Sequence, residues 1–138
     1  ASIQPGRMIL MHADLLPTHR IKEVAARREC GFEIVLIVAE HYPLPSEDDR
    51  ILEFARSLPC TVRLCYHESL DAALIKRFGG DQVSRIMTAL HTPENEAITH
   101  ASVDKAIRAA QEKLARQIET NRPADTAGQW FLNNMPRD

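Results

Sequence analysis

The sequence predicts an α/β fold: a small Rossmann-like, three-layer domain with a short parallel sheet, followed by a helical C-terminal extension. Three short apolar segments, residues 7–13, 32–39 and 60–66, alternate with helical patterns. Strand–helix alternation of this kind is typical of parallel sheets built from βαβ units. The second segment is a continuous run rich in Ile and Val, which favours a strand that is covered on both faces. We therefore expect three adjacent, parallel strands.

Helices are predicted in the intervals between these strands. Thr18 can cap a first helix over residues 21–29, which ends before Gly31. Ser46 begins a second helix with Asp49 three residues later, in an approximate capping box, and Pro59 ends that helix.

The second half of the chain has a helical pattern throughout. Gly79 and Gly80 are expected to break the first helical stretch. The longest predicted helix covers residues 101–120 and carries one apolar stripe: Val103, Ile107, Ala110, Leu114 and Ile118. The predicted domains are therefore residues 1–80 (Rossmann-like), 81–120 (helical scaffold extension) and 121–138 (linker and aromatic tail).

The apolar stripe and the aromatic tail each have two interpretations. The favoured one is that both pack on the chain itself. The alternative is that they bind a partner, and the candidate partner-binding residues are then Val103, Ile107, Leu114, Ile118, Trp130 and Phe131.

Composition narrows the class of protein. A chain of 138 residues is the size of one ordinary domain. Its net charge of −2 gives no bulk attraction to nucleic acid or to an acidic membrane. Three cysteines without a CxxC pair indicate reduced thiols, and no apolar run approaches a membrane span. We expect a cytoplasmic protein without membrane insertion. Because the chain begins with Ala1 rather than Met, we also expect a piece of a larger parent protein.

Each of the three predicted strands ends in a histidine beside a carboxylate. Parallel strands place their carboxyl ends at one edge of a sheet, where ligands bind. Such residues could hold a divalent metal of unknown identity or act as general acid and base. The simpler and favoured interpretation is that they are polar residues leaving a buried strand. The candidate catalytic residues are His12, Asp14, Glu40, His41, His67 and Glu68.

The sequence contains no motif for binding or hydrolysing a nucleotide. The five glycines form neither a GxxxxGK[ST] loop nor a GxGxxG fingerprint, so no cofactor is predicted and no activity is expected of the chain on its own. A basic cluster on the first predicted helix is interpreted as a solvated face. Its alternative is contact with phosphate or nucleic acid through Arg20, Arg27 and Arg28.

Two stretches in the second half resemble the SecA preprotein translocase ATPase family. They are ESLDAALIKRFGGDQVSRIMTAL, residues 68–90, and ENEAITHASVDKAIRAAQEKL, residues 94–114. The resemblance implies that a strand closing the second nucleotide-binding lobe is followed by an FGG-type break, a Glu-Ala-Ile-x-His loop and a long scaffold helix. Upstream, MILMHADLLPTHRIKEVAARRE is similar in outline to a family segment that contacts ATP, although the Gly-Arg pattern of that segment is absent.

The resemblance implies a non-catalytic recognition or scaffold domain of a translocation machine. Its partner is another protein or another part of a larger parent. Conjugative DNA-transfer proteins carry vestigial motor domains that serve as docking surfaces, so nucleic acid is also a candidate partner. A second copy of the chain is a further candidate partner. The competing hypothesis is a small α/β metal-dependent hydrolase that uses the histidine–carboxylate pairs.

Overall fold

A computed structural model describes residues 6–16, 33–69, 71–90 and 101–135. The chain divides into two compact units. The α/β unit comprises Ala1–Ala39 and Ser46–His67, and the helical unit comprises Glu40–Pro45 and Glu68–Asp138.

The α/β unit is organised around two parallel strands. Strand β1 (Ile34–Val38) pairs with β2 (Val62–Tyr66), in a register that runs from Ile34 opposite Val62 to Val38 opposite Tyr66. Helix α1 (Pro45–Ser57) connects them in sequence and buries Ile51 and Ala55. Two of the three predicted strands and their parallel direction are therefore confirmed, and the described elements form a small α/β arrangement. The three-layer, Rossmann-like architecture stays a prediction.

The strand predicted over residues 7–13 is wrong. Residues 7–12 have no regular secondary structure, and Ala13–Leu15 form a single 3-10 turn. Met8 and Leu10 are 95% and 98% exposed. An apolar run becomes a strand only where a neighbouring strand satisfies its backbone groups, and no such neighbour lies beside this run in the described part of the chain.

The prediction that the second strand is covered on both faces is also wrong. Alternate residues of β1 are half-buried and exposed, and Val35 and Ile37 are 51% and 63% exposed. Side chains of a strand point alternately to its two faces, so only the face of Ile34, Leu36 and Val38 is covered. The helix predicted over residues 21–29, with Arg20, Arg27 and Arg28, lies outside the described residues.

The helical unit begins with a continuous helical stretch. A π-helical turn (Ile75–Gly79) leads directly into α2 (Gly80–Leu90). The break predicted at Gly79 and Gly80 is therefore wrong, because the chain widens by a π turn and continues as a helix. Helix α3 covers Ala101–Ala115, which ends five residues before the predicted boundary of 120. Helix α4 covers Ala127–Asn134, and the Thr126 hydroxyl caps it by accepting from the Gln129 amide at 3.2 Å.

Helix α3 supplies residues to both hydrophobic clusters of this unit. The smaller cluster joins Ala106 to Ile75 and Val83. The larger cluster contains Leu44, Leu74, Ile107, Ala110, Leu114, Trp130 and Phe131. One face of α3 thus contributes to both hydrophobic clusters that stabilise the helical unit. No helix among the described residues is long and apolar enough to cross a membrane.

Candidate functional site

The first histidine–carboxylate pair lies on the surface of the α/β unit. His12 Nδ1 is 3.1 Å from Asp14 Oδ2, and both side chains are more than half exposed. The other oxygen of Asp14 accepts from Arg50 at 3.3 Å, and Arg50 also pairs with Glu47 at 2.8 Å. These contacts form an ion-pair network that joins the 3-10 turn to the first two turns of α1, and its Arg50 and Glu47 side chains are only 26% and 29% exposed. The more exposed His12–Asp14 pair contributes little to stability.

The other two pairs follow β1 and β2, as predicted. The His67 amide continues the sheet by donating to the Val38 carbonyl at 2.8 Å. The His41 amide donates to the Glu68 carboxylate, so one pair contacts the other through a backbone group rather than through an imidazole. Glu40 and His67 are exposed. The predicted rim of three pairs required three strands, and the first of these is not a strand.

The described part of the chain holds no group of three or more His, Cys, Asp or Glu side chains placed to bind a metal ion. The metal-dependent hydrolase hypothesis therefore finds no ligand set in these ranges. A catalytic role for the six candidate residues stays a prediction.

Among the described residues of the α/β unit, the Tyr66 phenol has a shifted pKa. Burial raises the pKa of the Tyr66 phenol above its ordinary value, and the nearby negative charges of Asp48 and Asp49 raise it further. Tyr66 ends β2, and the two aspartates lie in the first turns of α1. The phenol therefore stays protonated well into the alkaline range. The sequence predicts Asp49 at a helix start and Tyr66 at a strand end, but only the tertiary arrangement brings the two together.

The six candidate partner-binding residues lie in the core of the helical unit. Ile107, Leu114, Trp130 and Phe131 are at most 5% exposed, and Val103 and Ile118 pack against the same cluster. The stripe and the tail thus pack on the helical unit itself, and a partner-binding role for the six residues stays a prediction. A partner could touch Ile107, Leu114, Trp130 and Phe131 only if this core opened, whereas Val103 and Ile118 are partly exposed.

A buried polar residue on the same face of α3 was missed. Gln111 is 1% exposed, and its Nε2 donates to the carbonyl of Tyr42 at 2.7 Å. Gln111 lies four residues after Ile107 and three before Leu114, so helical spacing alone places it on the buried face. A buried amide is stable only when hydrogen-bonded, and the loop Glu40–Pro45 supplies the acceptor.

That loop is packed deeply within the helical unit. Pro43 is fully buried and Leu44 is 8% exposed. The Tyr42 ring meets the Trp130 ring edge-on, with centroids 6.3 Å apart. Arg108 adds a long hydrogen bond of 3.5 Å to the Pro45 carbonyl. Tyr42, Pro43 and Leu44 lie between a predicted strand and a predicted helix, and a loop sequence does not reveal what it packs against.

The aromatic tail is fixed by amide side chains. The indole Nε1 of Trp130 donates to Asn121 Oδ1 at 2.7 Å. Asn134 accepts from the Arg122 amide at 2.6 Å and donates to the Arg122 carbonyl at 2.8 Å. These bonds satisfy the polar groups of the tail while Trp130 fills the core, so the linker before α4 and the helix itself are held together.

Comparison with known proteins gives partial matches to the protein translocase subunit SecA. The subunits of Pelobacter propionicus and Geobacter sulfurreducens are each 45% identical to this chain over 49 residues, which is 36% of this chain and 6% of each relative. The subunit of Salinibacter ruber is 37% identical over 49 residues, or 4% of its length. No family model matches the chain. No solved structure matches it significantly. These findings support a partial, SecA-like relationship.

Proposed function

We propose that this chain contributes a non-catalytic recognition or scaffold element to a protein translocation machine. The observation that carries the proposal is the 45% identity over 49 residues to protein translocase subunit SecA. The stretches that resemble this family, residues 68–90 and 94–114, belong to the helical unit. Because they cover a small fraction of the relatives, the element's partner is another part of a longer parent protein or another protein.

The geometry of α3 supports a scaffold role. Five residues form the buried face of this helix: Ala106, Ile107, Ala110, Gln111 and Leu114. These residues contact both hydrophobic clusters, which include α4, and Gln111 also binds the loop Glu40–Pro45. A helix with a filled inner face holds its outer face in a fixed position, which favours recognition by preorganisation. A partner would meet that outer face, where Lys105 and Glu112 are exposed.

A chimeric translocase tests the proposal. In a SecA protein, the stretch that corresponds to residues 68–114 would be replaced by those residues of this chain, and preprotein translocation into membrane vesicles would be measured. We expect the chimera to retain translocation within about tenfold of the parent, because an equivalent scaffold preserves the packing of neighbouring elements. The matched control is a chimera that carries the same residues in shuffled order, which should be inactive. A chimera as inactive as the shuffled control would refute the proposal.

The class of partner can be examined by binding experiments with this chain purified on its own. The likeness to a protein translocase favours a protein partner. Binding of single-stranded DNA, with an affinity that falls steeply as salt increases, would instead favour a role in DNA transfer. We expect no such binding, since the chain carries a net charge of −2.

A further inference from the structure

The loop Glu40–Pro45 connects two elements of the α/β unit but belongs to the helical unit. It follows β1 and leads into α1, and Ala39 and Ser46 on either side of it are assigned to the α/β unit. The chain therefore passes between the units after Ala39, after Pro45 and again after His67.

Three features hold the loop within the helical unit, and together they form what we call the loop anchor. Gln111 donates its amide to the Tyr42 carbonyl at 2.7 Å. Pro43 and Leu44 are buried, and Leu44 belongs to the larger hydrophobic cluster. The His41 amide donates to the Glu68 carboxylate. Glu68 is the first residue after the third crossing, so this bond ties the first crossing to the third.

The loop anchor lies very close in sequence to the strands. Only Ala39 and Glu40 separate the end of β1 from His41, and an extended chain spans at most roughly 3.3–3.6 Å per residue. The loop therefore cannot leave its place in the helical unit without pulling on the carboxyl end of β1 and on the start of α1. Gln111 is costly to leave unpaired because a buried polar group that loses its partner pays its full desolvation penalty.

We propose that the loop anchor couples the opening of the two units, so that destabilising the helical unit loosens the parallel sheet. Coupling of this kind makes the chain open as one cooperative unit rather than as two. It would let a partner bound to the helical unit change the order of the α/β unit. The coupling is independent of the proposed role in translocation, because it rests on packing within this chain alone.

Native-state hydrogen exchange of the full chain tests the coupling. Val83→Ala removes two methyl groups from the smaller cluster, which does not include the loop anchor. We expect amides of α3 to exchange on the order of tenfold faster, as a core truncation of this size predicts. If the units are coupled, amides of β1 and β2 accelerate by a similar factor. The matched control is Lys105→Ala at an exposed position of α3, which should change exchange by less than about twofold.

Combining Val83→Ala with Gln111→Leu then tests the route of the coupling. In the Gln111→Leu background, we expect Val83→Ala still to accelerate exchange in α3 but to leave β1 and β2 within about twofold of that background. If Gln111→Leu does not fold, Leu44→Ala weakens the same loop anchor and replaces it. Strand amides that ignore Val83→Ala in the otherwise unchanged chain would overturn the proposal. Strand amides that respond equally in both backgrounds would overturn it too, since the coupling would then bypass Gln111.

Discussion

Replacing Leu114 with Ala removes the side chain at the centre of the helical unit. Leu114 is 0% exposed and belongs to the larger hydrophobic cluster with Trp130. A buried Leu→Ala change costs about 2.7–5 kcal/mol, the upper end applying where the surroundings cannot collapse into the cavity. Aromatic rings on α4 and the main chain of α3 border this site, so we expect about 3–4 kcal/mol. A domain of this size has a total unfolding free energy of roughly 5–15 kcal/mol, so the variant would remain folded but with a melting temperature lower by roughly 10–15 °C.

Tryptophan fluorescence during thermal and urea unfolding measures this cost directly. Trp130 is the single tryptophan of the chain, and it lies in the cluster that Leu114→Ala disturbs. The matched control is Leu132→Ala, the same chemical change at a leucine that is 64% exposed on α4. The control should alter the free energy of unfolding by no more than about 0.5 kcal/mol. Equal losses in the two variants would refute the reasoning, because they would show that the stripe of α3 is not the core of the helical unit.

Three further changes test individual interactions. Asn121→Ala leaves the buried indole N–H of Trp130 without its acceptor and should cost about 1–3 kcal/mol, with a shifted indole proton resonance in NMR spectra; an unchanged resonance would contradict the bond. Glu33→Gln weakens the exposed pair with Arg63, whose closest N–O distance is 3.0 Å. The free energy of unfolding, measured with urea, should therefore change by less than about 1 kcal/mol, and by less still in high salt. Because the pKa of Tyr66 is raised in the folded state, its stabilisation is complete below the ordinary phenol pKa of about 10 and is lost as pH rises beyond it. Absorbance titration should therefore show a tyrosine that ionises late, and Tyr66→Phe should abolish this step. The Tyr66→Phe variant should also lose less stability above pH ~10 than the unchanged chain does. A tyrosine step that comes early and vanishes in this variant would show the opposite shift.

The helical half of the chain could be predicted well because its signals are local. Val103, Ile107 and Leu114 recur at helical spacing, which predicts both the helix and the face it buries, although α3 ends at Ala115, before Ile118. The same logic places Gln111 on that face. The two strands were predictable too, since β1 and β2 are short, mostly apolar runs with a helix between them, and β1 is rich in Ile and Val.

The candidate site was less predictable because its parts meet only in space. The sequence shows that histidines and carboxylates follow three apolar runs, but it does not show whether each run finds a neighbouring strand. The run before His12 does not, and its pair joins a surface network with Arg50. After β1, His41 meets Glu68 through its backbone amide, which no side-chain pattern could reveal.

By itself, the sequence determined β1, α1 and β2 in their order, the buried face of α3 and the likeness to a translocase subunit. The tertiary structure decided which unit the loop Glu40–Pro45 joins, how Gln111 is satisfied, and that the predicted partner-binding aromatics are core. Periodicity is set by residues a few positions apart, whereas these contacts join residues that lie as many as 69 positions apart, as Tyr42 and Gln111 do. Only the folded chain brings such residues within hydrogen-bonding distance.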